Sequence, residues 1–386
     1  MPLTKAEFEE LKKHQYCDNE SCSKYGIVGG GNIKTHSFAS GQGYCNCCKG
    51  KPFAMRKGTM FYGLRTPIDK IVHILGLLCS GMGQNAICRS EGVTNDSIRS
   101  WIILASEQVS AFSEYMQKDM HLSQVQIDEF WSFIRKKENL SEVEQEAGQT
   151  SKEIAANQGD RWTFVGILPD SSYIHTLHHG ERTLEQATAF VGKIKAKSDQ
   201  ASPLFASDDW FYEKALLEHY GMDFHPPYAG RGRYPKAKRI PLADLNYVQV
   251  QKKRDERGRL EEINYNIIYG TPQSVAQVFK QAERCKTINT VYVESRNGKF
   301  RKDDARLIRR TLCHSKKAIF HDAQIDFTAQ VMNYTRCNDG LKICITPNAA
   351  LFTPKYQHRT PAMAQGLIDK PLTIKELLFR RPQILP

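Results

Sequence analysis

Three acidic positions stand where metal-assisted chemistry could be built. Asp128 and Glu129 interrupt Val125-Gln126-Ile127-Asp128-Glu129-Phe130-Trp131-Ser132-Phe133-Ile134, whose alternation predicts a strand. Asp208 and Asp209 end the short apolar run Leu204-Phe205-Ala206-Ser207. Glu294 follows Val291-Tyr292-Val293, with Asn297 and Arg301 three and seven positions later on one helical face. Hard oxygen ligands suit magnesium, and a pair of such ions can activate a water or hydroxyl and stabilise the oxygen leaving a phosphodiester. Clustered carboxylates repel one another unless cations neutralise them, so convergence would signal function rather than architecture. Singly, an aspartate at a strand end is more often a cap or a solvated residue. The combination of contexts carries the reading.

A second constellation is softer. Cys17-x4-Cys22 and Cys45-x2-Cys48 are separated by a loop containing Gly29, Gly30 and Gly31. Two close pairs at this separation can set four thiolates around one structural Zn2+, closing a segment too small for its own core. Cys47 lies inside the second pair and could replace either neighbour; the expected ligands are Cys17, Cys22, Cys45 and Cys48. The remaining cysteines are scattered singly, as at Cys79 and Cys344, which fits a reducing compartment rather than a disulfide scaffold.

The elements that must position these groups are legible in outline. From Thr66, Ile68, Ile71, Val72, Leu75 and Leu78 have helical spacing up to Gly81, and a second apolar set begins at Ala86. Glu91-Gly92-Val93 reads as a tight turn and Thr94-Asn95-Asp96 as an N-cap cluster leading to Ile98, Trp101, Ile102 and Leu104. Helix, glycine turn and helix predict a helix-turn-helix, with Ser97, Arg99 and Ser100 facing DNA and Ile98 and Trp101 facing the core.

Residues 162–168 and 173–177 predict two further strands of a meander, joined at Pro169-Asp170-Ser171-Ser172, and Leu184–Ile194 a helix. A short strand at 204–207, a helix containing Tyr212, Ala215, Leu216 and Leu217, and the helix bearing Glu294 complete an α/β core of RNase H-like type. Glu138–Asp160 reads as a surface insertion. Between the second and third acids lies Pro226–Arg239, rich in Gly, Pro and Arg. It is followed by a hairpin of 247–253 with 260–270 that turns near Arg257-Gly258. Arg231, Arg233, Lys236, Lys238 and Arg239 are expected phosphate contacts, as are Arg306, Arg309 and Arg310 on a continuation of the Glu294 helix.

Composition agrees with a polyanionic partner. Lys and Arg number 54 against 42 Asp and Glu, a formal charge of +12. Forty per cent hydrophobic residues argue against a disordered chain, and no apolar run approaches a membrane span, so a cytoplasmic, nucleoid-associated protein is expected. A chain of 386 residues exceeds one ordinary core. The expected division is a zinc ribbon (1–62), a helix-turn-helix domain (63–120), an RNase H-like domain with a basic hairpin insertion near 226–270 (121–337) and a C-terminal tail (338–386).

The segments Gln126–Lys137, Phe205–Gly221, Ile288–Lys317 and Arg359–Leu378 resemble the transposases of the insertion-sequence-one family, DDE enzymes of bacteria and archaea. The resemblance spans nearly the whole chain and is most specific over Ile288–Lys317. It implies that Asp128, Asp208 and Glu294 are the catalytic ligands of two Mg2+ or Mn2+ ions, with Asn297 and Arg301 matching the polar residues that follow the glutamate. Glu129 and Asp209 would lend support, and which of Asp208 and Asp209 binds metal stays open. The chain departs from the family in Ser295-Arg296-Asn297-Gly298-Lys299, where an aromatic or aliphatic residue and Arg usually follow the glutamate. The implied activity is binding of transposon terminal repeats, hydrolysis of the DNA end and joining of its 3′ hydroxyl to target DNA, by at least a homodimer. A structure-specific nuclease of the same fold and a catalytically inactive DNA-binding regulator are the alternatives.

Overall fold

The computed structural model describes residues 3–48, 50–135, 158–208, 212–228, 230–231, 233–347 and 353–381. The chain forms two compact units, one of Met1–Met116, Arg301–Cys313 and Ile319–Pro386, the other of Gln117–Phe300 and His314–Ala318. The residues read above as a tail thus fall in one unit with the N-terminal segments.

In the first unit, Thr4 and Glu7 form a capping box that opens α1 (Lys5–His14). Strands β1 (Ile33–Ser37), β2 (Gln42–Cys45) and β3 (Phe53–Ala54) then make a small antiparallel sheet in that order. Three helices follow: α2 (Ile68–Leu78), α3 (Gln84–Glu91) and α4 (Asn95–Met116). Gly92 closes α3 in the left-handed region (φ 63°), which favours a residue without a Cβ. Two residues on, the Thr94 hydroxyl accepts from the Ser97 N–H at 3.2 Å and starts α4. Ile98, Trp101, Ile102 and Ala105 are buried, on the face their spacing predicts.

The second unit is built on a six-stranded mixed sheet. Its members are β4 (Gln124–Ile134), β5 (Gly159–Leu168), β6 (Tyr173–Gly180), β7 (Leu204–Asp208), β10 (Asn246–Arg254) and β11 (Leu260–Tyr269). The order is β11-β10-β7-β4-β5-β6, with β7 parallel to both β4 and β10 and all other pairs antiparallel. Between β6 and β7, α5 (Leu184–Ala196) buries Ala187, Phe190, Val191 and Ile194. Gly166 on β5 lets it pack closely, because a Cβ there would stand 3.3 Å from the Phe190 ring. After β7 come α6 (Tyr212–Tyr220) and a separate two-stranded ribbon, β8 (Gly221–Phe224) with β9 (Lys238–Pro241).

Two expectations need correction. The hairpin 247–270 forms with Gly258 at its turn, but its first strand is no insertion. β10 is a central strand, with Tyr247, Val248 and Val250 buried against its neighbours. The Gln251-Lys252-Lys253-Arg254 end hides that signal in the sequence. Of the segment read as an insertion between Glu138 and Asp160, residues 138–157 lie outside those described, and Gly159 and Asp160 already belong to β5.

Beyond the sheet, α7 (Pro272–Gln281) packs Val275, Val278 and Phe279 against Leu204 and Val248. The next helix, α8 (Val291–Asp303), carries Glu294. It stops at Asp303, so Arg306, Arg309 and Arg310 do not continue it. Asp304 Oδ1 instead accepts the Arg306 N–H at 2.9 Å and its carbonyl accepts Leu307 N–H at 3.0 Å, folding the chain into a turn. Helices α9 (Ala318–Tyr334), α10 (Pro361–Ala364) and α11 (Ile374–Phe379) follow, with a short antiparallel pairing of Ile343–Cys344 and Tyr356–Gln357 between the first two, and α11 packs on α1, α2 and α4.

Candidate metal centre on the mixed sheet

Strand direction brings the acids together. β4 and β7 run parallel with Ile127 opposite Ser207, so Asp128 and Asp208, each one residue further, reach the same level. α8 is hung from β4. Gln126 Oε1 accepts the N–H groups of Tyr292 (3.1 Å) and Val293 (3.2 Å), and Asn289 Oδ1 accepts that of Val291 (3.2 Å). These are first-turn donors that a helix cannot satisfy internally. Just upstream, Asp170 accepts the backbone N–H groups of Glu283, Arg284 and Cys285 at 3.1, 2.9 and 2.8 Å, and Gln124 Nε2 donates to the Cys285 carbonyl at 3.2 Å. Alternate residues Gln124, Gln126 and Asp128 thus hold residues 285–297 along one face of β4.

The result is a compact acidic site. Asn297 Nδ2 donates to Asp128 Oδ2 at 2.7 Å. The Thr290 hydroxyl lies 2.6 Å from Glu294 Oε1 and 3.2 Å from Asp208 Oδ1. Lys252, from β10, places its ammonium between two of the acids: Nζ donates to Asp208 Oδ1 at 3.2 Å, to Thr290 Oγ1 at 2.5 Å and to Glu294 Oε1. Asp208, Lys252, Arg254 and Glu294 line a cleft with Val250 and Gln251.

Electrostatics follow from this crowding. Burial, then the charges of Glu129, Asp208 and Glu294, push the Asp128 carboxyl up to about 7. Burial works against the charge of Lys252, but its bonds to Glu294 and Asp208 outweigh that and hold it above its ordinary value. The donors here are oxygens, and Asn297 Oδ1 is buried without a hydrogen-bond partner among the described residues. Such a set fits a hard divalent cation. Asp128, Asp208 and Glu294 are nonetheless not drawn as tight as the cysteines, which are the set of ligand atoms lying within 4.8 Å of one another among the described residues.

The supporting residues behave differently from one another. Glu129 points away from this cluster into a pairing with Arg182 (Nε to Oε1, 2.7 Å) and the Tyr212 hydroxyl (to Oε2, 2.9 Å). Arg301 lies two turns beyond Glu294 on α8. Asp209 is outside the described residues, so the Asp208 side chain is the one seen at the site. Lys252, Thr290 and Gln126 were not singled out from sequence. A lysine in a charged strand end and a glutamine in an apolar strand carry no local signal for this role.

The five cysteines Cys17, Cys22, Cys45, Cys47 and Cys48 converge on β2 and the loops beside it, and could hold a structural metal such as zinc. Cys47 cannot be set aside: its sulfur is 2.6 Å from that of Cys22 and 3.0 Å from that of Cys45, whereas Cys48 lies 3.6 Å from Cys17. Asn32 Nδ2 donates to the sulfurs of both Cys45 and Cys47 at 3.3 Å, the kind of outer contact that steadies thiolate ligands.

Among the expected DNA contacts, Ser97 and Arg99 are half-buried and Ser100 is exposed on α4, and Arg99 pairs with Asp96 at 3.0 Å. Arg231, Arg233, Lys236 and Lys238 are exposed in and beside the loop joining β8 to β9. Arg239 is occupied at the ribbon's root, donating to the Glu218 carbonyl at 2.6 Å and to Asp223 at 3.1 Å. Arg306 is likewise committed within its unit, to the Phe320 carbonyl (2.7 Å) and Gln84 (3.2 Å), while Arg309 and Arg310 are exposed. No helix among the described residues is long and apolar enough to cross a membrane. No protein-family model matches the sequence, and no curated protein matches it.

Proposed function

We propose that the chain is a DNA transposase with an RNase H-like core, cutting transposon ends and joining them to target DNA at one metal centre. The observation that carries this reading is the convergence of Asp128, Asp208 and Glu294, from two parallel strands and a distant helix: the charges of Asp208 and Glu294 act on the Asp128 carboxyl, and the Lys252 ammonium bridges Asp208 and Glu294. The sheet supports it: an antiparallel meander β4-β5-β6 with β7 parallel beside β4 agrees with the strands expected of such a core, and β10 extends the sheet in parallel beyond β7.

Asp128, Asp208 and Glu294 would hold Mg2+ or Mn2+. Bound divalent ions supply an activated water or hydroxyl and charge stabilisation for the leaving oxygen. The chain's own part is to orient and to exclude. Asn297 fixes the Asp128 carboxylate, Thr290 fixes Glu294, and Gln126 holds the helix that carries Glu294 and Asn297 at the height of Asp128. Arg254 lends positive charge to the cleft where a phosphate would lie. Helices α3 and α4, the basic loop between β8 and β9, and the charge of +12 supply the surfaces for DNA, and two DNA ends call for at least a homodimer.

The test is cleavage and joining of a plasmid bearing the DNA that flanks the coding sequence, with and without Mg2+. Asp128→Asn, Asp208→Asn and Glu294→Gln should each lower cleavage on the order of a thousandfold with little change in DNA affinity. Cut products without joined ones would indicate a nuclease, and binding without cutting a regulator.

A further inference from the structure

Lys252 makes three contacts with its ammonium, to Asp208, Glu294 and Thr290, and an ammonium has three N–H groups to give. Its side chain is only 14% exposed, yet it belongs to the strand end Gln251-Lys252-Lys253-Arg254, whose other cations meet solvent more freely. A lysine placed in this way neutralises two carboxylates that would otherwise repel each other. It also stands where a divalent ion shared by the same two carboxylates would have to bind, and the two cations exclude one another by charge and by volume.

On the reading of the site given above, we propose that Lys252 is a built-in competitor of the metal ion. It holds Asp208 and Glu294 in the metal-free protein, and metal binding displaces its ammonium into the adjoining cleft, where it contacts the substrate phosphate. Three observations support this. β10 is paired on both sides up to Val250, and Lys252 itself pairs with Ile263 of β11, so displacement is a matter of side-chain rotation about a hydrogen-bonded backbone. The cleft that Lys252 lines opens directly beside Asp208 and Glu294 and already holds Arg254. A four-carbon stem lets the ammonium move several ångströms while its Cα stays in place. The device ties two events together: the cation that leaves the acids becomes the cation that greets the phosphate.

Opposite movements of two quantities test the idea. Mn2+ binding to the zinc-loaded protein, followed by electron paramagnetic resonance without DNA, should be about ten-fold tighter in Lys252→Met than in the wild type, because the competing internal cation is gone. In the same variant, DNA cleavage at saturating Mn2+ should fall about a hundredfold, because the phosphate contact is gone. A lysine with a merely structural role would weaken both, and unchanged or weaker Mn2+ binding in a folded Lys252→Met overturns the proposal.

The wild type gives a second measure that needs no variant. Acylation of Lys252, read by mass spectrometry, should be several-fold faster with Mn2+ than without it, and an equal or slower rate overturns displacement. Failure of the underlying reading looks different. In that case wild-type Mn2+ binding at the acids is absent, or is unaffected by Asp128→Asn.

Discussion

Asp128 carries the clearest electrostatic consequence. Burial, then the charges of Glu129, Asp208 and Glu294, push its carboxyl up to about 7 in the folded chain, so the folded state holds the proton more tightly than the unfolded chain does. The stability this contributes is present at acid pH and is lost as pH rises from the ordinary carboxylate value through 7. Asp128→Asn should therefore match the wild type below about pH 4 and exceed it by about 2 kcal/mol at pH 8 in the presence of a chelator, seen as a higher melting temperature. That figure is discounted from the full conversion because Lys252 already offsets two of the neighbouring charges. Added Mg2+ should close the gap by stabilising the wild type alone.

The cysteines give a second prediction. Five sulfurs share a space that four ligands fill, so Cys47→Ser and Cys48→Ser should each retain one zinc per chain by metal analysis, and the double variant should lose it. Loss of zinc from Cys47→Ser alone would make Cys47 an obligatory ligand. The CxxC spacing displayed the cluster plainly. Which sulfur is spare depends on how the loop around Cys47 turns back toward Cys22, a contact across 25 residues that spacing does not contain.

Among the elements, the junction of β4 with α8 sets the site. Gln126 accepts two N–H groups of the first turn of α8, and replacing it with Leu leaves the buried Val293 donor and the half-buried Tyr292 donor without that partner. Gln126→Leu should cost about 2 kcal/mol in denaturant unfolding and lower metal-dependent cleavage, with DNA affinity unchanged. Equal activity and stability would mean that α8 holds its place without this anchor.

The elements that were legible are those with an unbroken local pattern: β4 by alternation, α5 by the spacing of Ala187, Phe190, Val191 and Ile194, and α4 by its Thr94 cap. What escaped was long-range. Gln124, Gln126 and Asp170 act on backbone more than a hundred residues away, and Lys252, in the charged end of β10, reaches Asp208 across 44 residues. The over-extended reading of α8 has a local origin. Arg306, Leu307 and Ile308 keep a helical rhythm, but the buried side chain of Asp304 ends the helix by folding the chain into a turn.

Across the full 386 residues, the excess of cations and the two compact units describe a chain that keeps its acidic centre in one unit and its cysteine cluster in the other. Each unit should then fail separately. Removing zinc should disturb the unit of α1–α4 and weaken DNA binding, while the mixed sheet keeps its own core of Phe130, Phe164, Phe205 and Val248. The central claim, however, concerns three carboxylates and a cation. It is tested most directly by crystals of the protein soaked with Mn2+ and measured at the manganese absorption edge. The account predicts an anomalous peak in contact with Asp128, Asp208 and Glu294, with the Lys252 ammonium moved off the acids. A map without a peak there, with Lys252 still bridging Asp208 and Glu294 at saturating Mn2+, would contradict it.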